Sequence, residues 1–546
     1  MGDVGDDNEH VGEVDMEDLS LSPAAGEEEP QGASASLMPL SLTDSAGGSR
    51  PLPSLQTPIT FRDVPGVVGY AVHVLILLLV TSSIRSDGEE TLAKLANATI
   101  LGGDIASGSG SEGDELVRNV TDGGTLLPGD ISVSLTSLSV VNLLFSVSWL
   151  LVFIFNAKMR FLQLSCAFST VGLFVLALTL FSLSNGDALF LALLVTGTLV
   201  ADVLWMLRSR NGFDFVAVLF ELVVDFFVKH ASLAYVTTGT IVAYTLWACW
   251  VSTTIGYVVL GNSPWELSML YVYFHFYWTS NIFKNILTVV VSGATMIWYY
   301  KDDSSALSPQ LADENISDHD SPTDIHERDQ PTSLFSLGTT PMDRRVVGHF
   351  VRCALTTSFG SICIGSLLCP VAHILWNILR WARRDESVFA KRFAMLQSDR
   401  VENFIRTYHK FTFVHIAGYG KAFYVAARDS WELIEIRGVE AIVDDDLTSR
   451  LLLLGANGWA SIMCALTTSA LLASRHGAFF AITSFVLCYT TMSMATQMIG
   501  AVIKTLFVCF AESPTRLSQL HPLVYHRLVR LSELKSFRDH KAPARV

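Results

Sequence analysis

Apolar and polar positions along the chain separate into long blocks. They show neither the alternation of a half-buried strand nor the narrow 3.6-residue stripe of a soluble surface helix. Runs long enough for a helix to cross a hydrocarbon core, about 20 residues, fall at roughly 65–84, 131–155, 161–183, 188–207, 234–260, 267–299, 353–379, 451–473 and 477–510. Most are apolar on every face, as helices in a membrane bundle are. Two further stretches, 213–230 and 404–428, read either as crossings or as surface helices. The pattern predicts an all-α, polytopic membrane protein of about ten transmembrane helices.

Polar segments then set the domains and the orientation. Lys158 and Arg160 lie between the second and third runs, and Arg208 and Arg210 follow the fourth, whereas the turn Ser184 to Asp187 carries no basic residue. Basic residues collect on the cytosolic side, so the amino terminus is expected inside, and the basic tail over 511–546 agrees. The expected division is an acidic, disordered cytosolic tail over 1–62, a transmembrane domain over 63–510 and that basic tail. Loop 84–130 then lies outside, where Asn97 (Asn-Ala-Thr) and Asn119 (Asn-Val-Thr) form two glycosylation sequons. The acidic loop 301–345 changes sides according to whether 213–230 crosses.

Composition sharpens this picture. Hydrophobic residues are 50% of the 546 and charged residues only 16%, against about 25% charged in soluble domains. The net charge of −15 is concentrated: residues 1–60 hold twelve acids and the single base Arg50. No early apolar stretch resembles a signal peptide, so the first span is expected to act as the insertion signal. The eight cysteines sit in or beside apolar runs, with neither a loop disulfide framework nor zinc-ligand spacing.

In 213–230, Asp214, Glu221 and Asp225 are spaced by seven and four, which sets them within about 20° of one helical face. That face suits either an amphipathic helix on the membrane surface or a span whose carboxylates line a cation pathway. Lys284 stands inside an apolar run and must pair, snorkel or lose its proton. His73, His275, His373 and His415 also lie in or near runs, where imidazoles pack by hydrogen bonds or carry protons.

Several segments resemble the choline transporter-like family, most closely its fungal and protist branch named for pH-nine sensitivity. They are Phe274-His-Phe-Tyr-Trp-Thr-Ser-Asn-Ile-Phe-Lys-Asn, continuing through Val291-Ser-Gly-Ala to Trp298-Tyr-Tyr; Gly360-Ser-Ile-Cys-Ile-Gly-Ser; His415-Ile-Ala-Gly-Tyr-Gly-Lys-Ala-Phe with Ala427-Arg-Asp; and Thr505-Leu-Phe-Val-Cys-Phe-Ala-Glu-Ser-Pro. They occur in the family's order over roughly 234–530. The resemblance implies a multi-span carrier of choline or ethanolamine, with proton exchange in some members.

A quaternary ammonium has no N–H to donate, so its site must be built from aromatic faces, with or without a carboxylate. Candidate substrate-binding residues are therefore His275, Tyr277 and Trp278 at one end of the run 267–299, and Trp298 and Tyr299 at the other. The same rings also suit interfacial aromatic belts. Lys284, Glu221 and Asp225 are the candidates for a cation pathway or coupling. Gly418-Tyr-Gly-Lys421 lacks the residues of a potassium filter, and its glycines suit a bend or a close helix contact.

No phosphate-binding loop, zinc helix or nucleophile elbow is present. The chain is therefore expected to be a transporter of choline or a related organic cation and not an enzyme. No catalytic residue, metal, cofactor or nucleic-acid partner is expected. The partners are the small cation and the lipid bilayer, with the plasma membrane or an endomembrane as location. A carrier or pore for another solute, and a membrane-embedded enzyme or scaffold of lipid metabolism, stay open at this point.

Overall fold

Helices account for the architecture of the computed structural model, which describes residues 61–104, 128–155, 159–182, 186–208, 213–260, 265–300, 341–384, 398–437, 457–458, 461–464, 477–526 and 528–530. In chain order they are α1 (Val64–Asp104), α2 (Pro128–Phe155), α3 (Met159–Ser182), α4 (Gly186–Arg208), α5 (Phe213–Lys229), α6 (Ala231–Leu260), α7 (Trp265–Tyr300), α8 (Pro341–Leu355) and α9 (Phe359–Arg384). They continue with α10 (Ser398–Thr407), α11 (Thr412–Tyr419), α12 (Phe423–Arg437), α13 (Gly477–Glu512) and α14 (Pro514–Leu520). No strand occurs among the described residues. In lipid a helix satisfies its own backbone, which an open strand cannot do. By length and composition, five stretches qualify as crossings among the described residues: Val64–Ser83, Gln163–Ser182, Leu267–Tyr300, Phe359–Trp376 and Ile482–Glu512.

The sequence blocks and the helices differ in places that have physical causes. The run 353–379 is two helices, because α8 ends at Leu355 and a turn through Thr356–Ser358 starts α9. The stretch 404–428 is not one crossing but falls across α10, α11 and α12. Helix α1 continues past its apolar part to Asp104, so Asn97 stands on a helix, while Asn119 lies outside the described residues. So do 1–60, 301–340 and 531–546, which hold most of both tails and of the acidic loop.

The bundle is organised around α7, which packs against α13, α11, α6, α8, α9 and α1. Small and hydroxylated residues on α7 and α13 let the helices approach and join. Gln497 of α13 donates to Thr288 of α7 at 2.8 Å, and Asn285 of α7 donates to Ser366 of α9 at 2.9 Å. Further out, Asn142 of α2 exchanges hydrogen bonds with Ser484 of α13. Helix α5 buries Val216, Leu219, Phe220, Val223 and Phe226 and leaves Glu221 exposed.

The start of α1 is clamped. Arg62 donates its backbone N–H to Thr357 at 3.1 Å. The Asp63 carboxylate accepts from the Ser361 hydroxyl and, at 2.8 Å, from the backbone N–H of Phe423, the first residue of α12. Side-chain oxygens of this kind cap helix N-termini, but here the cap comes from a distant part of the chain. The approach is close enough that a Cβ at Gly360 would stand 2.3 Å from the Asp63 carbonyl, and one at Gly66 would stand 2.4 Å from the Gly360 carbonyl.

Candidate functional site

Two groups of aromatic and polar side chains gather on α7, one around Trp278 and the other at the helix's carboxyl end. They are about 30 Å apart along the axis, at 1.5 Å per residue. The first is assembled from α1, α6 and α7. Tyr70 and His73 are three residues apart on α1 and share a face, and His275, Trp278 and Thr279 share a face of α7. Trp247 reaches in from α6.

Its hydrogen bonds form a chain. Trp247 Nε1 donates to His275 Nε2 at 3.2 Å, His275 Nδ1 lies 3.1 Å from His73 Nε2, and His73 Nδ1 lies 2.7 Å from the Tyr271 hydroxyl. An indole N–H only donates, so His275 Nε2 accepts and the proton of its neutral ring is on Nδ1. His73 then accepts at Nε2 and donates from Nδ1 to Tyr271, whose own hydrogen goes to the His73 carbonyl at 3.0 Å. The donor inventory thus assigns both tautomers, with both imidazoles neutral. Thr279 lies 3.2 Å from His275 Nδ1 and joins the Tyr70 hydroxyl at 3.0 Å.

The other polar atoms are engaged as well. Trp278 Nε1 donates to the Cys363 carbonyl of α9 at 3.0 Å, and the Tyr277 hydroxyl donates to the Leu367 carbonyl at 3.0 Å. The rings themselves are packed against one another. Trp278, only 8% exposed, is met edge-on by Tyr70 at 5.3 Å and at a tilt by His73 at 5.0 Å and Phe274 at 5.8 Å, between ring centroids. An open depression on the surface beside it is lined by Val80, Leu267, Ser268, Leu270, Tyr271 and Phe274.

The second group is centred on Glu512, the last residue of α13. Its Oε2 accepts from the Tyr300 and Tyr419 hydroxyls, each at 2.8 Å. His415 Nε2 lies 3.7 Å from its Oε1. Tyr299 is buried and donates to the Ser513 carbonyl at 2.7 Å, and Trp298 packs edge-on to Phe226 at 5.2 Å. Of the five candidate substrate residues, His275, Tyr277 and Trp278 therefore share one cluster, while Trp298 and Tyr299 belong to the other.

Neither cluster includes the residues singled out for a cation pathway. Lys284 is half-buried farther along α7, and among the described residues no carboxylate is within ion-pair range of its ammonium. Glu221 is exposed on α5, and the side chain of Asp225 lies outside the described residues. No group of three metal-ligating side chains converges among the described residues. The sequence pattern missed Tyr70 and Glu512 as site residues. The signals were present: Tyr70 and His73 share a stripe in an aliphatic span, and Glu512 is a carboxylate closing a long apolar run.

Comparison with known proteins places the chain in a family. A family model described as plasma-membrane choline transporter matches residues 191–515. The protein PNS1 of Gibberella zeae is 25% identical over 373 residues, covering 62% of this chain and 61% of its own length. PNS1 of Saccharomyces cerevisiae is 26% identical over 363 residues, 60% of each chain. A CTL-like protein of Dictyostelium discoideum is 24% identical over 262 residues, 47% of this chain and 41% of its own. The chain thus spans about three fifths of the length of these fungal relatives.

Proposed function

Given that the chain belongs to the choline transporter-like family, we propose that it moves choline, or a closely related small organic cation, across a membrane by alternating access. The supporting observation is the Trp278 cluster. Its N–H and O–H groups are spent on one another and on backbone carbonyls, so a cation that parts the packed rings would meet aromatic faces and no free donor. Faces are what a quaternary ammonium can use, because it has no N–H to donate and its methyl groups carry the positive charge. Ethanolamine would need acceptors for three N–H groups, so this reading ranks it below choline. The open depression lined by Tyr271 and Phe274 marks the end of α1 and α7 opposite Asp63 as the side from which we take the cation to approach. Under the charge pattern of the loops that end is extracellular, and the proposed location is the plasma membrane.

The test is uptake of labelled choline into vesicles containing the purified protein, against empty vesicles and a Trp278→Ala variant. Saturable uptake that falls at least tenfold in the folded variant, about 1.4 kcal/mol in the cation–aromatic range, is expected. Equal uptake by variant and wild type would remove the cluster as the site. No uptake by folded wild type would remove choline as the substrate.

A further inference from the structure

The break between α11 and α12 builds a second ammonium-binding arrangement that the transport reading does not use. Helix α11 ends at Tyr419, Gly420 turns the backbone into the left-handed region (φ 55°, ψ 36°), and Lys421 follows before α12 begins at Phe423. The turn folds Lys421 back over the preceding residue. Its Nζ stands 5.1 Å above the centroid of the Tyr419 ring and donates to Asp429 Oδ2 at 2.7 Å. The other carboxylate oxygen of Asp429 faces Arg428 Nε at 3.7 Å. The ring itself is fixed, because the Tyr419 hydroxyl is held on Glu512 at 2.8 Å and its edge lies against His415, with ring centroids 5.4 Å apart.

A carboxylate on one side and an aromatic face on the other is the chemistry that recognises an organic ammonium. Here the ammonium in place belongs to the protein's own chain. The Lys421 and Asp429 side chains are 34% and 22% exposed, so the position is open to solute once the lysine swings aside. We propose that Tyr419 and Asp429 form a second site for small organic ammonium ions, occupied in this conformation by Lys421 as a tethered competitor. An ammonium ion reaching this position would displace Lys421, which keeps the site closed to cations at low concentration. This extends the transport reading from one ammonium site to two, and it is tested by binding alone.

The probe is tetramethylammonium, titrated calorimetrically into the purified full chain in lipid nanodiscs. All variants carry Trp278→Ala so that the first cluster does not contribute. Adding Lys421→Ala removes the tethered competitor, and adding Lys421→Met keeps the apolar stem in case the alanine variant is unstable. A short tether holds its group at an effective concentration in the millimolar range or above, so either change should tighten binding about tenfold or more. Lys421→Arg keeps a cation in place and should gain nothing. Adding Asp429→Asn to Lys421→Met should abolish the gain. If folded Lys421→Met and Lys421→Ala proteins bind no more tightly than Trp278→Ala alone, or the gain survives Asp429→Asn, the proposal is overturned. Failure of the transport reading would show separately, as no choline uptake by folded wild-type protein.

Discussion

Substituting Gly360 by alanine is the most direct probe of the clamp at the start of α1. The added Cβ would lie 2.3 Å from the Asp63 carbonyl oxygen and 2.5 Å from that of Arg62. Both obstacles are backbone atoms that no rotamer change can move aside, so the two segments must part by about 1 Å to restore ordinary contact. Overpacking of this kind costs about 1–3 kcal/mol. Gly69 supplies the control: it is on α1, one turn beyond Gly66, and a Cβ there meets nothing within 4 Å. Gly69→Ala should be neutral or stabilise by up to about 1 kcal/mol through helix propensity. The two variants should therefore differ by about 1–4 kcal/mol. The assay is thermal melting followed by a thiol-reactive fluorophore, which the six buried free cysteines make possible without labelling mutations, the half-buried Cys249 and Cys353 setting the baseline. Cys363 is three residues from the perturbation and should react first among the buried cysteines. Equal melting midpoints for Gly360→Ala and Gly69→Ala would refute the close approach and the clamp derived from it.

Two further predictions concern the same end of the bundle. Asp63→Ala removes the acceptor of the Phe423 N–H and the Ser361 hydroxyl and should cost about 1–2 kcal/mol, the value of a helix cap, whereas Asp63→Asn keeps an acceptor oxygen and should cost less; melting midpoints of the pair decide. Gly420→Ala forces a side chain into the left-handed region and should destabilise by about 1–2 kcal/mol, with Gly420→Asn milder, read by melting and by faster proteolysis between α11 and α12.

Much of the fold was legible because membrane insertion depends on composition over some 20 residues, and composition is what a sequence displays. The run 267–299 and the helix Trp265–Tyr300 agree within two residues at each end. The same averaging hid the breaks. Across 404–428 the apolar content suggests a crossing, yet the left-handed Gly420 divides it, and Gly418 is small because a Cβ there would meet the Met296 sulfur at 2.2 Å. One glycine barely alters a 20-residue mean. The site was legible in part for a related reason. His275, Tyr277 and Trp278 are adjacent in sequence and stand out as a cluster, whereas Tyr70 and Trp247 reach it from other helices. Trp298 and Tyr299 resembled the first group in kind, but helical rise alone sets them a bilayer's thickness away.

The Asp63 cap also bears on how the protein is made. Its acceptor leaves the ribosome early and its donor, Phe423, comes 360 residues later. At about 5–20 residues per second, the carboxylate waits roughly 20–70 seconds before α12 exists. Asn142 waits similarly for Ser484, 342 residues on. The early helices must therefore enter the bilayer with their polar contacts unmade, held by lipid and by neighbours such as the α3–α4 pair, which is complete within about 50 residues. Closure at the Asp63 end is then a late event in biogenesis, and a nascent chain halted before α12 would carry an open bundle with a hydrated carboxylate at its mouth.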